Sequence, residues 1–237
     1  MVKIIAEGCD GKYTLSQLLT VMEALRSPDG CPWDKEQTHS SIKNDALEEV
    51  YEVVDAIDTG DTAALCEELG DMLLQVVFHS QIAKEDNEFT FDDVVDGICK
   101  KLILRHPHVF GNESVNNSSE VLSLWDSIKQ KEKNQTTVTS TLESVPKAFP
   151  ALMRAAKVQK RAKKAGVVEP ISAQQIEEKI ASFKTALQTN NLEHQNKAYG
   201  NLLFALAGFS HTLGVNAEES LNTATNTFIE DVKKAEH

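Results

Sequence analysis

Leu47 to His79 reads LEEVYEVVDAIDTGDTAALCEELGDMLLQVVFH. Apolar residues recur at helical spacing on both sides of a turn signal at Thr59, Gly60 and Asp61. Leu47, Val50, Tyr51, Val54 and Ile57 precede it, and Leu65, Leu69, Leu73, Val76 and Val77 follow. Strand alternation is absent, so two helices joined by a short turn are expected, near 40–58 and 62–86, with Asp61 capping the second. Acids stand three apart on each helix: Glu49 and Glu52, with Glu48 beside them, then Glu68 and Asp71. Residues three apart share a helix face, so four carboxylates from neighbouring helices can converge. Like charges that close repel, and water or a cation must sit between them. A hard divalent ion such as Mg²⁺ suits an all-oxygen set. Gly70, between Leu69 and Asp71, costs a helix about 1 kcal/mol relative to Ala; close approach of another helix or a ligand would explain it.

The same periodicity extends outward. Thr14 or Ser16 can cap a helix through about Arg26, with Leu15, Leu18, Leu19, Met22 and Leu25 on one stripe. Residues 1–13 read as a loosely held arm. Residues 27–39, SPDGCPWDKEQTH, read as a loop because Pro28, Gly30 and Pro32 break helices. Trp33 within it has two readings, a hydrophobic anchor or a pocket-lining residue. A helix near 91–105 stops before Pro107, His106–Phe110 reads as a turn, and a helix from Ser118 or Ser119 carries Trp125. Lys101 and Arg105, four apart, could serve phosphate as a point charge and a planar fork, or be an ordinary surface pair. A polar Thr/Ser-rich stretch divides the chain into modules at 14–133 and 147–237 with a linker at 134–146. A basic helix ending at Gly166 and helices near 172–189, 192–213 and 217–235 follow. The expected fold is all-α.

The second half echoes the first without its chemistry. Gly70-Asp71 returns as Gly200-Asn201, and Glu48-Glu49 as Glu177-Glu178. Glu52 and Glu68 become Ala181 and Ala198. The frame that packs is kept, and the donor set that could bind metal is reduced to Glu178.

Composition sets bounds. The 237 residues are 41% hydrophobic, with a formal charge of −12 and a pI near 5.0. General nucleic-acid or anionic-membrane binding needs a basic face and is not expected. No apolar run is long enough to cross a bilayer, and the start, MVKIIAEGCDGKY, lacks the run of a signal peptide. Four scattered cysteines, Cys9, Cys31, Cys66 and Cys99, with no CxxC pair suit a reduced, cytoplasmic protein. No GxxxxGK[ST] or GxGxxG occurs, and no Ser or Cys recommends itself as a nucleophile. His79, His106 and His108 read as core or hydrogen-bonding residues rather than ligands. Glu36-x-x-His39 has di-iron spacing but lacks the second such pair that a di-iron bundle uses.

The blocks GCPWDKEQTHSSI, LEEVYEVVDAID, EELGDMLLQVVFH, KLILRHPHVFG and SSEVLSLWDSIKQKEK together closely resemble the MazG family of nucleoside triphosphate pyrophosphohydrolases. The resemblance covers nearly all of residues 15–133 and continues more weakly through PALMRAAKVQKRA. It implies an all-α fold and a four-helix-bundle type of site, usually in a homodimer; with the echo in the second half, the chain reads as two tandem modules, the second degenerate. It implies Mg²⁺-dependent hydrolysis of NTPs or dNTPs to monophosphate and pyrophosphate, with Mn²⁺ a possible substitute. Carried onto this chain, it makes Glu49, Glu52, Glu68 and Asp71 the metal ligands and Glu48 a second carboxylate or base. Lys101 and Arg105 would contact phosphates, and Trp125 would lie near base or ribose, with Trp33 a further candidate for lining that pocket. Two rivals stay open: a non-catalytic nucleotide-binding protein of the same fold, and a carboxylate di-iron protein.

Overall fold

The computed structural model describes residues 11–132 and 137–236, and among these it contains helices and no strands. Contacts divide the chain into two compact units between Ile128 and Lys129. The amino-terminal arm falls mostly on residues 1–10, and the start of the expected linker on 134–136; both lie outside the described residues.

The first unit holds α1 (Leu15–Arg26), α2 (Pro32–Glu36), α3 (Asp45–Thr59), α4 (Thr62–Glu85), α5 (Phe91–Arg105), α6 (Pro107–Phe110) and most of α7 (Ser118–Glu132). Its core is Met22, Ile42, Val77, Phe78 and Ile82, with Leu18, Leu19, Leu74 and Phe91 packed around them. The carboxyl-terminal half of α4 is therefore the buried part of that 24-residue rod, held by α1 and by the segment before α3. Arg26 fastens the arrangement. Its guanidinium, almost wholly buried, donates to the Glu85 carboxylate at 2.7 Å and to the carbonyls of Asp34 and Gln37, and lies 5.4 Å above the Phe78 ring. One side chain thus ties α2 to the buried end of α4.

Three local expectations change. The loop at 27–39 contains the short α2, and the turn at 106–110 is the short α6. In each a proline stands at the first helical turn, where its fixed φ and missing N–H favour a helix start instead of breaking one. The helix expected from about residue 40 begins at Asp45, because Thr38 and Ser41 bond each other's backbone N–H groups and compete with helix.

The second unit holds α8 (Val138–Glu143), α9 (Ala151–Lys164), α10 (Ala173–Leu187), α11 (Leu192–Leu213) and α12 (Ala217–Ala235). The α8 turn, capped by Thr137, falls inside the stretch read as linker. α10 and α11 form a hairpin, as α3 and α4 do in the first unit. Its buried residues are mostly small, Ala162, Ala186, Ala205, Ala207, Gly208 and Ser210, so α9 and α11 approach closely. The amino end of α9 has no side-chain cap of its own; Glu218 from α12 accepts from the Met153 N–H instead.

Candidate active site

The site is built by the turn at Gly60. Gly60 takes φ +71°, a left-handed conformation natural to glycine, and its N–H closes the end of α3 on Ala56 and Ile57. Asp61 Oδ1 then accepts from the Ala63 and Ala64 N–H groups and opens α4, a cap worth about 1 kcal/mol. In such a hairpin, residues equally far from the turn stand at equal height. Glu52 and Glu68 are each eight residues from Gly60, and Glu49 and Asp71 each eleven. At 1.5 Å rise per residue the pairs sit at about 12 and 16 Å from the turn. The acids therefore face one another in two levels.

Glu49, Glu68 and Asp71 meet most closely. Each is half-buried, and each offers a carboxylate oxygen within 4.8 Å of the other two. Partial burial, then the charges of Asp71, Glu52 and Glu68, hold the Glu49 carboxyl above the usual carboxylate range. Glu68 is raised in the same way, by partial burial and then by Glu52, Glu67 and Asp71. Glu52 is more exposed and stands outside the tight trio, though its charge reaches both Glu49 and Glu68. Glu48 is exposed. Carboxylates that disfavour their own ionised state are ready to accept a divalent cation, which would relieve the repulsion. One turn beyond Asp71, Gln75 buries its Oε1 with no hydrogen-bond donor among the described residues, so an unused oxygen lies along the same helix. An all-oxygen donor set of this kind fits a hard ion such as Mg²⁺.

Arg105 is no surface cation: it is 8% exposed and its guanidinium lies 5.1 Å above the Trp125 ring. Lys101, one turn earlier, is exposed. Trp33 on α2 is 58% exposed, which overturns its reading as a buried anchor. At Gly70 the expected close approach is not that of another helix. A Cβ there would meet nothing within 4 Å, so no helix of the described chain approaches it closely. Leu69, Leu73 and Val76 on α4 and Leu47, Val50, Tyr51, Val54 and Ile57 on α3, apolar positions of the two helices, are 40–58% exposed.

One pairing has no signal in the sequence. His39, before α3, and His79, on the buried half of α4, stack at 5.0 Å between ring centroids, with their Nδ1 atoms 2.7 Å apart. That distance is a hydrogen bond, so one Nδ1 carries a proton and the other accepts it. Burial, and then the neighbouring His39, keeps His79 below the usual histidine range. The two are forty residues apart, and only the packing of the loop on α4 brings them together.

An all-α module with paired acids facing across a helical hairpin defines the class. The MazG nucleotide pyrophosphohydrolase domain matches residues 37–110, which span α3, α4 and α5. The chain is 43% identical over 223 residues to a nucleoside triphosphate pyrophosphohydrolase of Escherichia coli, covering 90% of this chain and 84% of that one. It is 40% identical over 223 residues to the nucleoside triphosphate pyrophosphohydrolase/pyrophosphatase MazG of Thermotoga maritima, covering 93% and 84%. It is also 43% identical over 235 residues to the uncharacterized protein YabN of Bacillus subtilis, of which it spans 48%. The chain belongs to the MazG family.

Proposed function

We propose that this protein is a Mg²⁺-dependent nucleoside triphosphate pyrophosphohydrolase, converting an NTP or dNTP and water to the monophosphate and pyrophosphate. The convergence of Glu49, Glu68 and Asp71 across the α3–α4 hairpin carries this reading. The names of the Escherichia coli and Thermotoga maritima relatives supply the reaction class. Glu49, Glu52, Glu68 and Asp71 would hold Mg²⁺, or Mn²⁺ in its place. The ion supplies charge neutralisation on the phosphate oxygens and a more acidic water. Glu48 or Glu52, the two more exposed carboxylates, orients the attacking water and takes its proton. The new bond forms at the α-phosphorus, and the bond to the bridging oxygen breaks, so the electron pair leaves with pyrophosphate. Arg105 and Lys101 offset charge on the phosphates, Arg105 held in place by Trp125. Trp125 and the exposed Trp33 lie toward base or ribose.

The two-module organisation, with the second module structural, belongs to this reading, as does a homodimer. The unpartnered apolar stripes on α3 and α4 support the dimer, because a soluble monomer rarely leaves such a face open. Among the described residues no helix is long and apolar enough to cross a membrane, and a cytoplasmic role in nucleotide-pool housekeeping fits the reading. The deciding experiment incubates the protein with each NTP and Mg²⁺ and resolves the products. Monophosphate plus pyrophosphate is expected. Diphosphate plus phosphate would indicate a different hydrolase, and binding with no product would favour the non-catalytic alternative.

A further inference from the structure

The two units differ sharply in charge. Residues 1–128 carry nine Lys or Arg against 25 Asp or Glu, whereas residues 129–237 carry fifteen against eleven. The excess is concentrated on α9, which holds Arg154, Lys157, Lys160, Arg161, Lys163 and Lys164 and no acid. Arg161 and Lys157 have structural work. Arg161 turns inward to the Thr141 carbonyl and Ser144 Oγ, and Lys157 lies 5.0 Å above the Phe149 ring. Lys160 and Lys163, three apart on one face and both exposed, have no ion pair or hydrogen-bonding side-chain partner among the described residues.

These two lysines rim a cavity of about 700 Å³ between α9, α11 and the segment at 168–171. Its floor is apolar, with Val158, Ala162, Val168, Ile171 and Phe204. The floor is braced from beneath. Gln159 Nε2 donates to the Phe204 carbonyl at 2.7 Å, and the Gln159 side chain fills the space a Cβ on Gly208 would need. Thr212 Oγ1 donates to the Ile171 carbonyl at 3.0 Å and pins the third wall. The volume lies within the range of small-molecule sites, which are apolar with a few convergent polar groups. Adjacent like charges with no counter-ion repel each other, and an anion between them removes that repulsion. Among the described residues, Glu169 is the one acid in the lining, against Lys160 and Lys163 on the rim.

We propose that this cavity binds a small organic anion with an apolar body, the body on the Val158–Phe204 floor and the anionic head between Lys160 and Lys163. The site shares no residue with the acid cluster of the first unit, and it needs no metal.

The test is a titration of the full chain with the fluorescent anion 1-anilinonaphthalene-8-sulfonate, without Mg²⁺. The exposed stripes of the first unit give a background that substitutions at 160–168 leave unchanged. Above it, one saturable component per chain is expected, displaced by decanoate or decyl phosphate and weakened by added salt. The stronger competitor identifies the preferred head group. Lys160→Glu with Lys163→Glu should weaken that component about tenfold or more, and the milder Lys160→Gln with Lys163→Gln should weaken it less. Val168→Trp should abolish it by filling the cavity. All three positions are exposed, so the variants should retain wild-type helicity by circular dichroism. A saturable component of unchanged affinity in the charge-reversed and Val168→Trp proteins would overturn the proposal, as would failure of both competitors to displace the probe.

Discussion

The Arg105 guanidinium stacks 5.1 Å above the indole of Trp125 and joins the end of α5 to α7. Arg105 is the last residue of its helix, where a cation also meets the carboxyl end of the helix dipole. Trp125→Leu removes the ring and keeps an apolar side chain. It should lower the unfolding free energy by about 1–2 kcal/mol, with a coupling to Arg105→Lys of about 1 kcal/mol in a double-mutant cycle. Urea denaturation measures both. On the proposed reading the same substitution raises KM, because the guanidinium loses the surface that orients it.

Removing metal should silence the enzyme. EDTA, or Glu49→Gln or Asp71→Asn, should abolish Mg²⁺-dependent pyrophosphate release. The folded wild-type protein should also gain stability on adding Mg²⁺, about 2.7 kcal/mol at a hundredfold excess over Kd. Either variant should lose that gain while keeping its fold, since both positions are only half-buried. Unchanged turnover in either variant would remove the acid cluster from the mechanism. Asn201→Asp in the second unit should restore nothing there, because Ala181 and Ala198 stand where acids would be needed.

Helix periodicity and acid spacing made the fold class and the carboxylate hairpin readable from residues alone. The equal offsets of Glu52 and Glu68, and of Glu49 and Asp71, from Gly60 turn that spacing into opposed pairs. Three things were not readable, each for a physical reason. A periodic stripe shows that a face is apolar and not what covers it, so spacing alone does not tell that Tyr51 and Leu69 are exposed. Pro32 and Pro107 read as breakers, yet proline also starts helices. The contacts of His39 with His79 and of Arg26 with Glu85 join residues 40 and 59 positions apart, beyond any local pattern.

Acid should weaken the first unit through two groups acting over different pH ranges. His79 is held below its ordinary value of 6.5, first by burial and then by His39. The unfolded chain therefore takes up a proton at a higher pH than the folded one. The stability that neutral His79 confers is full above pH 6.5 and falls as pH drops below it. For Glu85, partial burial pushes the carboxyl upward, but hydrogen bonds from Arg26 and Gln81 and the charges of Arg26 and Lys84 outweigh it, and the net shift is downward from 4.5. Its contribution is full above pH 4.5 and is lost as pH falls through the lower folded value. Thermal melts from pH 8 to 3 should show two declines. His79→Gln should flatten the first, and Glu85→Gln the second.

The open face of the hairpin bears on assembly. Leu47, Val50, Tyr51, Val54 and Ile57 on α3, and Leu69, Leu73 and Val76 on α4, form apolar stripes left exposed. Leaving them in water forgoes about 25 cal/mol for every Å² that a partner would cover. Gly70, next to Leu69 in the chain, has open space where a Cβ would point, so a second copy can approach the backbone there. If the stripes are a dimer interface, Tyr51→Glu with Leu69→Glu places charges within it and should yield monomers by light scattering at concentrations where the wild type is dimeric. Gly70→Leu should do the same by obstructing the approach. Neither change removes a carboxylate, so a fall in activity that tracks dissociation across a dilution series would tie assembly to catalysis. Monomeric wild-type protein at micromolar concentration would instead leave the stripes to a different partner.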